Sequence, residues 1–304
     1  MQIGLYIRLL GRPATEPPPP SWTSIRDQAI AAEAAGFDLV VLEDASLYPD
    51  DSGDVGVWEA VATAAAVATC TSRIRVGHAV INNPYRYPSQ TARIAATLDE
   101  IAGGRYTLGI GSGNTPDDYR LFGIAADRRF SRFSEAIRII RDLLRGERVN
   151  FDGEFYSVAG AELVLRGPSP KGPRVAIAAG KPRMLALAAE FGDEWNWWAS
   201  GPADMEALAR LVQDVERACA ERDRDPASLR RSVDVYSVTT PTTEPPTDPW
   251  PICGPADAIA DALLEYGRLG FDEVRINLKV PGSMPPAEAI AAMAEVVGLV
   301  HAGT

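Results

Sequence analysis

The sequence predicts an α/β fold of eight strand–helix units, and three observations support it. Short apolar, β-branched runs alternate with longer helical stretches along all 304 residues. The clearest run, Tyr106–Gly111, is apolar throughout rather than alternating, as a strand buried on both faces should be. Glycines then follow at its C-terminal end, Gly109, Gly111 and Gly113, where α/β proteins bind ligands. Regular alternation implies parallel strands with crossover helices. Eight units in this length point to a closed barrel, and an open doubly wound sheet is the alternative.

Taken in order, a strand near 3–9 leads to a helix near 22–35, and 39–42 to a helix near 57–69. The strand at 75–81 leads to a helix at 88–102, whose Ile94, Leu98 and Ile101 share one face and which Gly103-Gly104 stops. Strand 106–111 precedes helix 131–144, 175–178 precedes 182–191, and 194–197 precedes 202–222. The last two pairs are 232–238 with 256–269 and 273–277 with 285–300. Two proline-rich stretches, 13–20 and 241–251, read as extended loops on the rim. Asp152-Gly153 reads as a hairpin turn. No interdomain linker is visible, so residues 1–304 read as one domain.

Composition limits the function. A net charge of −11 repels phosphate backbones, so a nucleic-acid partner is not expected, nor is an anionic membrane. No apolar run approaches a membrane span and the start carries no basic-then-apolar leader, so a cytoplasmic protein is expected. Cys70, Cys219 and Cys253 are widely spaced and odd in number, and only His78 and His301 are present. Neither set suggests a disulfide framework, a metal site or a Ser-His-Asp arrangement. The strand ends instead offer Tyr6, Arg8, Glu43, Asp44, Asn82, Asn83, Ser112, Asn114, Lys181, Trp197, Trp198 and Asn277. Such a rim suits a cofactor that brings its own chemistry.

Each candidate has a plain structural reading beside the functional one. The glycines after 106–111 either let backbone approach a flat or anionic group or merely make a turn. His78 is a candidate imidazole or a hydrogen-bonded strand-end histidine. Glu43 is a candidate base, or caps the following loop together with Asp44. Gly180 and Lys181, between a strand and a helix, form an anion site or an ordinary turn with a solvated lysine. Strand alternation sends Trp195 and Trp197 to one face and Trp198 to the other.

The ordered pieces AAEAAGFDLVVLED (Ala31–Asp44), RYP (Arg86–Pro88), ATLDEIAGGRYTLGIGSG (Ala96–Gly113), YRLFG (Tyr119–Gly123), RFSEAIRIIRDLLRGERVNFDGEFY (Arg132–Tyr156) and PRVAIAAGKPRMLALAAEFGDEWN (Pro173–Asn196) resemble the bacterial luciferase-like family. That family includes flavin monooxygenases and enzymes using the deazaflavin coenzyme F-420. The resemblance implies a (β/α)8 TIM barrel, an insertion around 147–173 with a small hairpin, and association into a dimer. It assigns the cofactor to Ala79, Val80, Gly111, Ser112, Asn114, Ala179, Gly180, Lys181 and Trp197, with a cis peptide in the third strand at Ala79, Val80 and Ile81. It leaves Asn114, Glu43 and His78 as catalytic candidates. Serine at 112 replaces the arginine of the luciferases, which favours F-420 over FMN. Ala45 and Asn114 stand where the family's sugar-phosphate dehydrogenases carry histidine and glutamate, and neither can act as acid or base at neutral pH. The expected function is hydride transfer to or from a small organic substrate. The alternatives are an FMN-dependent two-component monooxygenase fed by a partner reductase, and an inactive barrel that only binds.

Overall fold

The computed structural model describes residues 1–12, 19–48, 55–114, 116–242, 252–280 and 284–303. Most of both proline-rich stretches, 13–18 and 243–251, lies outside the described residues. Nine strands make the main sheet, eight of them in barrel order: β1 (Gln2–Tyr6), β2 (Leu39–Leu42), β3 (Arg75–His78), β4 (Tyr106–Gly111), β5 (Arg174–Ala178), β6 (Glu194–Ala199), β7 (Arg230–Thr239) and β8 (Glu273–Lys279), the ninth being the short Ile81–Asn82 beside β4. Each of the eight is hydrogen-bonded to its neighbours in chain order, and β8 returns to β1 with Gln2 opposite Glu273. The sheet therefore closes into a parallel barrel. The helices between strands are α1 (Trp22–Ala34), α2 (Ala60–Cys70), α3 (Pro88–Ile101), α4 (Pro116–Leu121), α5 (Arg129–Leu144), α6 (Pro182–Phe191), α7 (Met205–Ala220), α8 (Ala256–Arg268), α9 (Pro286–Ala291) and α10 (Ala294–Ala302).

Two compact units make up the chain. One comprises Met1–Ile7, Trp22–Val41 and Ala179–Thr304, and so holds β1 and β6–β8. Its outward-facing residues pack apolar surface: Trp195 is fully buried, stacks on Phe271 and donates its indole N–H to the Ala179 carbonyl at 2.7 Å. Its inward face is polar. The Arg275 guanidinium bonds Glu273 at 2.7 Å and Glu194 more closely still, and all three side chains are buried. Gly4 makes room for it, since a Cβ there would lie 3.1 Å from Arg275 Cγ.

The other unit comprises Arg8–Ser21 and Leu42–Ala178. The expected single strand at 75–81 is interrupted. β3 ends at His78, the Ala79–Val80 peptide is cis, and pairing resumes at Ile81–Asn82 opposite Ile110 and Gly111. The hairpin in the 147–173 insertion is present, Val149–Asp152 against Ser157–Ala161, but its link is Gly153–Tyr156 rather than a two-residue turn at Asp152-Gly153. A carboxylate decides this: Glu135 of α5 accepts from the backbone N–H groups of Glu154, Phe155 and Tyr156 and shapes the wider turn. The helix expected to start at 57 starts at Ala60, where the Glu59 carboxylate caps Ala62 N at 2.6 Å. Val55–Val57 instead joins a small sheet with Leu10–Gly11 and Leu47–Tyr48. Strands of two or three residues show too little periodicity to be read from sequence.

Arg275→Gln leaves buried carboxylates without their cation. We expect it to destabilise the fold by about 3–5 kcal/mol, the usual cost of breaking a buried pair from one side, measured as a fall in the urea midpoint at pH 7. A loss below about 1 kcal/mol would show that the cluster is solvated.

Candidate active site

In the unit holding β3–β5, the residues at the C-terminal strand ends are tied together behind a small apolar ledge. Asp44, just past β2, is buried and accepts from the Asn82 backbone N–H at 2.8 Å. It also takes a two-pronged contact from Arg86, at 2.6 and 3.1 Å, and Arg86 reaches Glu59 at 2.7 Å. Burial works against the Arg86 charge, but the two carboxylates outweigh it and raise its pKa. This pair pins the chain immediately after the Ala79–Val80 bond. Helix α4, which the sequence did not reveal, adds a second tie: Tyr119 donates to Asn82 Oδ1 at 2.8 Å, and Asp118 accepts from Ser46 N at 2.9 Å and from the Tyr85 hydroxyl.

The glycines after β4 serve this arrangement. A Cβ at Gly109 would overlap the His78 carbonyl, so glycine is what lets the third strand bulge inward there. Gly113 has φ +87°, and a Cβ would overlap the Tyr119 hydroxyl and Asn82 Oδ1. At these two positions the close neighbour is the protein itself. Gly111 differs: its Cβ position is 3.0 Å from Val80 Cγ2, and Ala79, Val80 and Ser112 are partly exposed around it. Asn114 is exposed.

The two other catalytic candidates sit apart from that ledge. His78 is fully buried, with Nδ1 2.8 Å from the Tyr106 hydroxyl. Burial lowers its pKa, partly opposed by Asp44, so the ring is neutral at pH 7. Such a histidine suits a strut behind β3 better than an acid or base. Glu43 is half-buried and accepts from Tyr48 at 3.1 Å. Burial pushes its pKa up, with Tyr48 and the Leu9 backbone opposing.

In the unit holding β1 and β6–β8, a second group of strand ends is polar and aromatic. Lys181 is exposed and is the N-cap residue of α6, with no side-chain hydrogen bond to the first turn and Pro182 next, which carries no N–H. Gly180 is covered by Trp197, whose indole a Cβ would overlap. Trp195 and Trp197 meet Ala179 and Gly180, but the alternation expected along β6 does not part Trp198 from Trp197: their rings lie 6.1 Å apart at 32°, and Trp198, half exposed, also meets Tyr236 edge-on at 6.3 Å. Tyr6, at the end of β1, donates to Asp234 Oδ2 at 2.8 Å, and Asn196 donates to Asp234 Oδ1 at 3.1 Å. Asp234 carried no expectation from sequence, because nothing marks which polar residue in a strand faces inward.

Sequence comparison places this geometry. The profile of the luciferase-like monooxygenase family matches residues 1–245. This chain belongs to the luciferase-like monooxygenase family. It is 31% identical over 215 residues to the F-420-dependent glucose-6-phosphate dehydrogenase of Gordonia bronchialis, covering 68% of this chain and 62% of that one. A solved F-420-dependent secondary alcohol dehydrogenase, in complex with an F-420–acetone adduct, has TM-score 0.81 at 19% identity over 98% of both chains. The monooxygenase RslO1 from Streptomyces bottropensis has TM-score 0.78 at 19% identity over 97% of this chain and 98% of that chain. At that identity the two structures share the fold. Like these proteins, luciferase-like family members are oxidoreductases, and the expectation of an enzyme on a TIM barrel holds. Among the described residues no helix is long and apolar enough to cross a membrane, and no group of ligating side chains could hold a metal ion.

Gly109→Ala forces a methyl group into the His78 carbonyl, which cannot rotate away. We expect a loss of about 2–3 kcal/mol. Gly111→Ala meets side chains rather than backbone, Val80 Cγ2 at 3.0 Å and Ala178 Cβ at 3.7 Å, and should cost less, about 1 kcal/mol. Urea unfolding of both variants checks the order, and equal losses would contradict the assignment of Gly109 to the bulge.

Proposed function

We propose that this chain is an F-420-dependent oxidoreductase that transfers a hydride to or from a small organic substrate. The observation that carries the reading is the ledge of Ala79, Val80 and Ser112, partly exposed over a buried Gly111, free of any side chain larger than valine, and braced from behind by Asp44 and Arg86. A flat tricyclic ring fits against such a surface, because only small side chains leave room for close contact. When bound, F-420 would supply the hydride acceptor or donor. Ala79, Val80 and Gly111 would hold one face of its ring, and Asn114, exposed beside them, would hydrogen-bond its edge. Ala179, Gly180 and Trp197 would line its approach. Lys181, at a helix start that no side chain caps, would meet its phosphate. Serine rather than arginine at position 112 supports F-420 over FMN. The substrate would be a small carbonyl or alcohol. A sugar phosphate is a poorer fit, since Ala45 and Asn114 replace the acid–base pair expected there.

Equilibrium dialysis tests the cofactor. F-420 should be retained with Kd in the low micromolar range and FMN more weakly. Retention of neither at tens of micromolar, about −6 to −7 kcal/mol, would overturn the reading. Lys181→Ala should weaken F-420 by about 1–3 kcal/mol and the unphosphorylated deazaflavin core much less. The difference should shrink as salt rises. Equal losses for both forms would remove Lys181 from the site.

A further inference from the structure

Among the described residues inside the β1/β6–β8 unit, three carboxyls gather around one guanidinium. Glu194, Glu273 and Asp234 face one guanidinium, Arg275, and none of the four is more than 5% exposed. Uncompensated buried charge is expensive, and the cheaper outcome is to keep a proton. Geometry selects which carboxyl keeps it. Glu194 and Glu273 bond Arg275 directly, whereas Asp234 Oδ1 lies 3.9 Å away. The groups facing Asp234 are Arg275 of β8, Glu194 and Asn196 of β6 and Tyr6 of β1; Glu273 of β8 lies against Arg275, and Tyr236 of its own strand against Tyr6. Burial raises its pKa to about 6, against the opposing pull of Arg275, Tyr6 and Asn196.

Tyr6 connects this carboxyl to the end of the strands. Its hydroxyl donates to Asp234 Oδ2 at 2.8 Å while the residue itself is only half buried. Its ring lies 6.1 Å from Tyr236, which meets Trp198, and these two are 38% and 50% exposed. An aromatic wall therefore stands beside a phenol that is backed by an acid. When Asp234 is ionised, Tyr6 donates to it. When Asp234 is neutral, the carboxyl donates to Tyr6, and the phenolic proton turns toward the wall.

We propose that Tyr6 and Asp234 form a proton relay serving the oxygen of a carbonyl or alcohol ligand bound against Tyr236 and Trp198. The proposal rests on the hydride-transfer reading above. In the reducing direction, reduced deazaflavin, when bound, would supply the hydride that the carbonyl carbon takes up. The Tyr6 O–H bond breaks and its proton goes to the substrate oxygen. The Tyr6 oxygen takes the Asp234 proton, and solvent reprotonates the carboxylate. Alcohol oxidation runs the same transfers backward.

Infrared titration of the cofactor-free protein, with cyclohexanone as the carbonyl probe, tests the relay. A protonated-carboxyl band should titrate near pH 6 and vanish in Asp234→Asn. Tyr6→Phe should move its midpoint upward, because the lost hydrogen bond favours the ionised form. The carbonyl stretch of bound cyclohexanone should fall to lower frequency below that midpoint in the wild type, and this shift should disappear in Tyr6→Phe. Asp234 remaining ionised down to about pH 4, the ordinary carboxylate range, would overturn the proposal. So would a ketone signal that is absent, or the same in wild type and Tyr6→Phe. No cofactor is needed, so these failures are distinct from failure to retain F-420 in dialysis.

Discussion

The buried Arg275 guanidinium is the interaction on which half of the barrel depends. A barrel interior of this size has to be filled by side chains, and here β6, β7 and β8 point carboxylates inward rather than branched aliphatics. One cation holds Glu194 and Glu273 in fixed positions, and Gly4 of β1 gives up its side chain to admit it. A buried ion cluster of this kind is rarely the most stable filling. Its consequence is electrostatic: the third carboxyl, Asp234, stands 3.9 Å from the shared guanidinium and is hydrogen-bonded instead to Tyr6 and Asn196.

The other half solves a different problem. The third strand must leave its line after His78 and still present a smooth surface at its end. Gly109 accommodates the inward carbonyl, and Asp44 holds Asn82 where pairing resumes. His78 and Tyr106 fill the space behind. Most of the polar residues near this ledge bind one another. That division, with bracing groups behind and small residues in front, explains why so few side chains here are free to do acid–base work and why a cofactor would have to bring the reactivity.

Much of this was legible in the chain. Continuous apolar runs such as Tyr106–Gly111 and Leu39–Leu42 marked strands buried on both faces, and their regular spacing with helices marked parallel order. The glycines after β4 were visible, but their purpose was not. Gly109 and Gly113 looked like room for a ligand and turned out to be room for the His78 carbonyl and for Tyr119 with Asn82. Helix α4 was missed because six residues carry less than two helical turns of pattern.

By itself the sequence determined the strand–helix order, the family and the ends of the strands where function would lie, because hydrophobic periodicity and ordered motifs are local properties of the chain. Tertiary structure alone decided which polar residues meet. Arg275, Glu194 and Asp234 come from three strands, with 81 positions between the first two, and Tyr6 reaches Asp234 across 228. Which face of a strand turns inward depends on register against its neighbours, and no single segment encodes that.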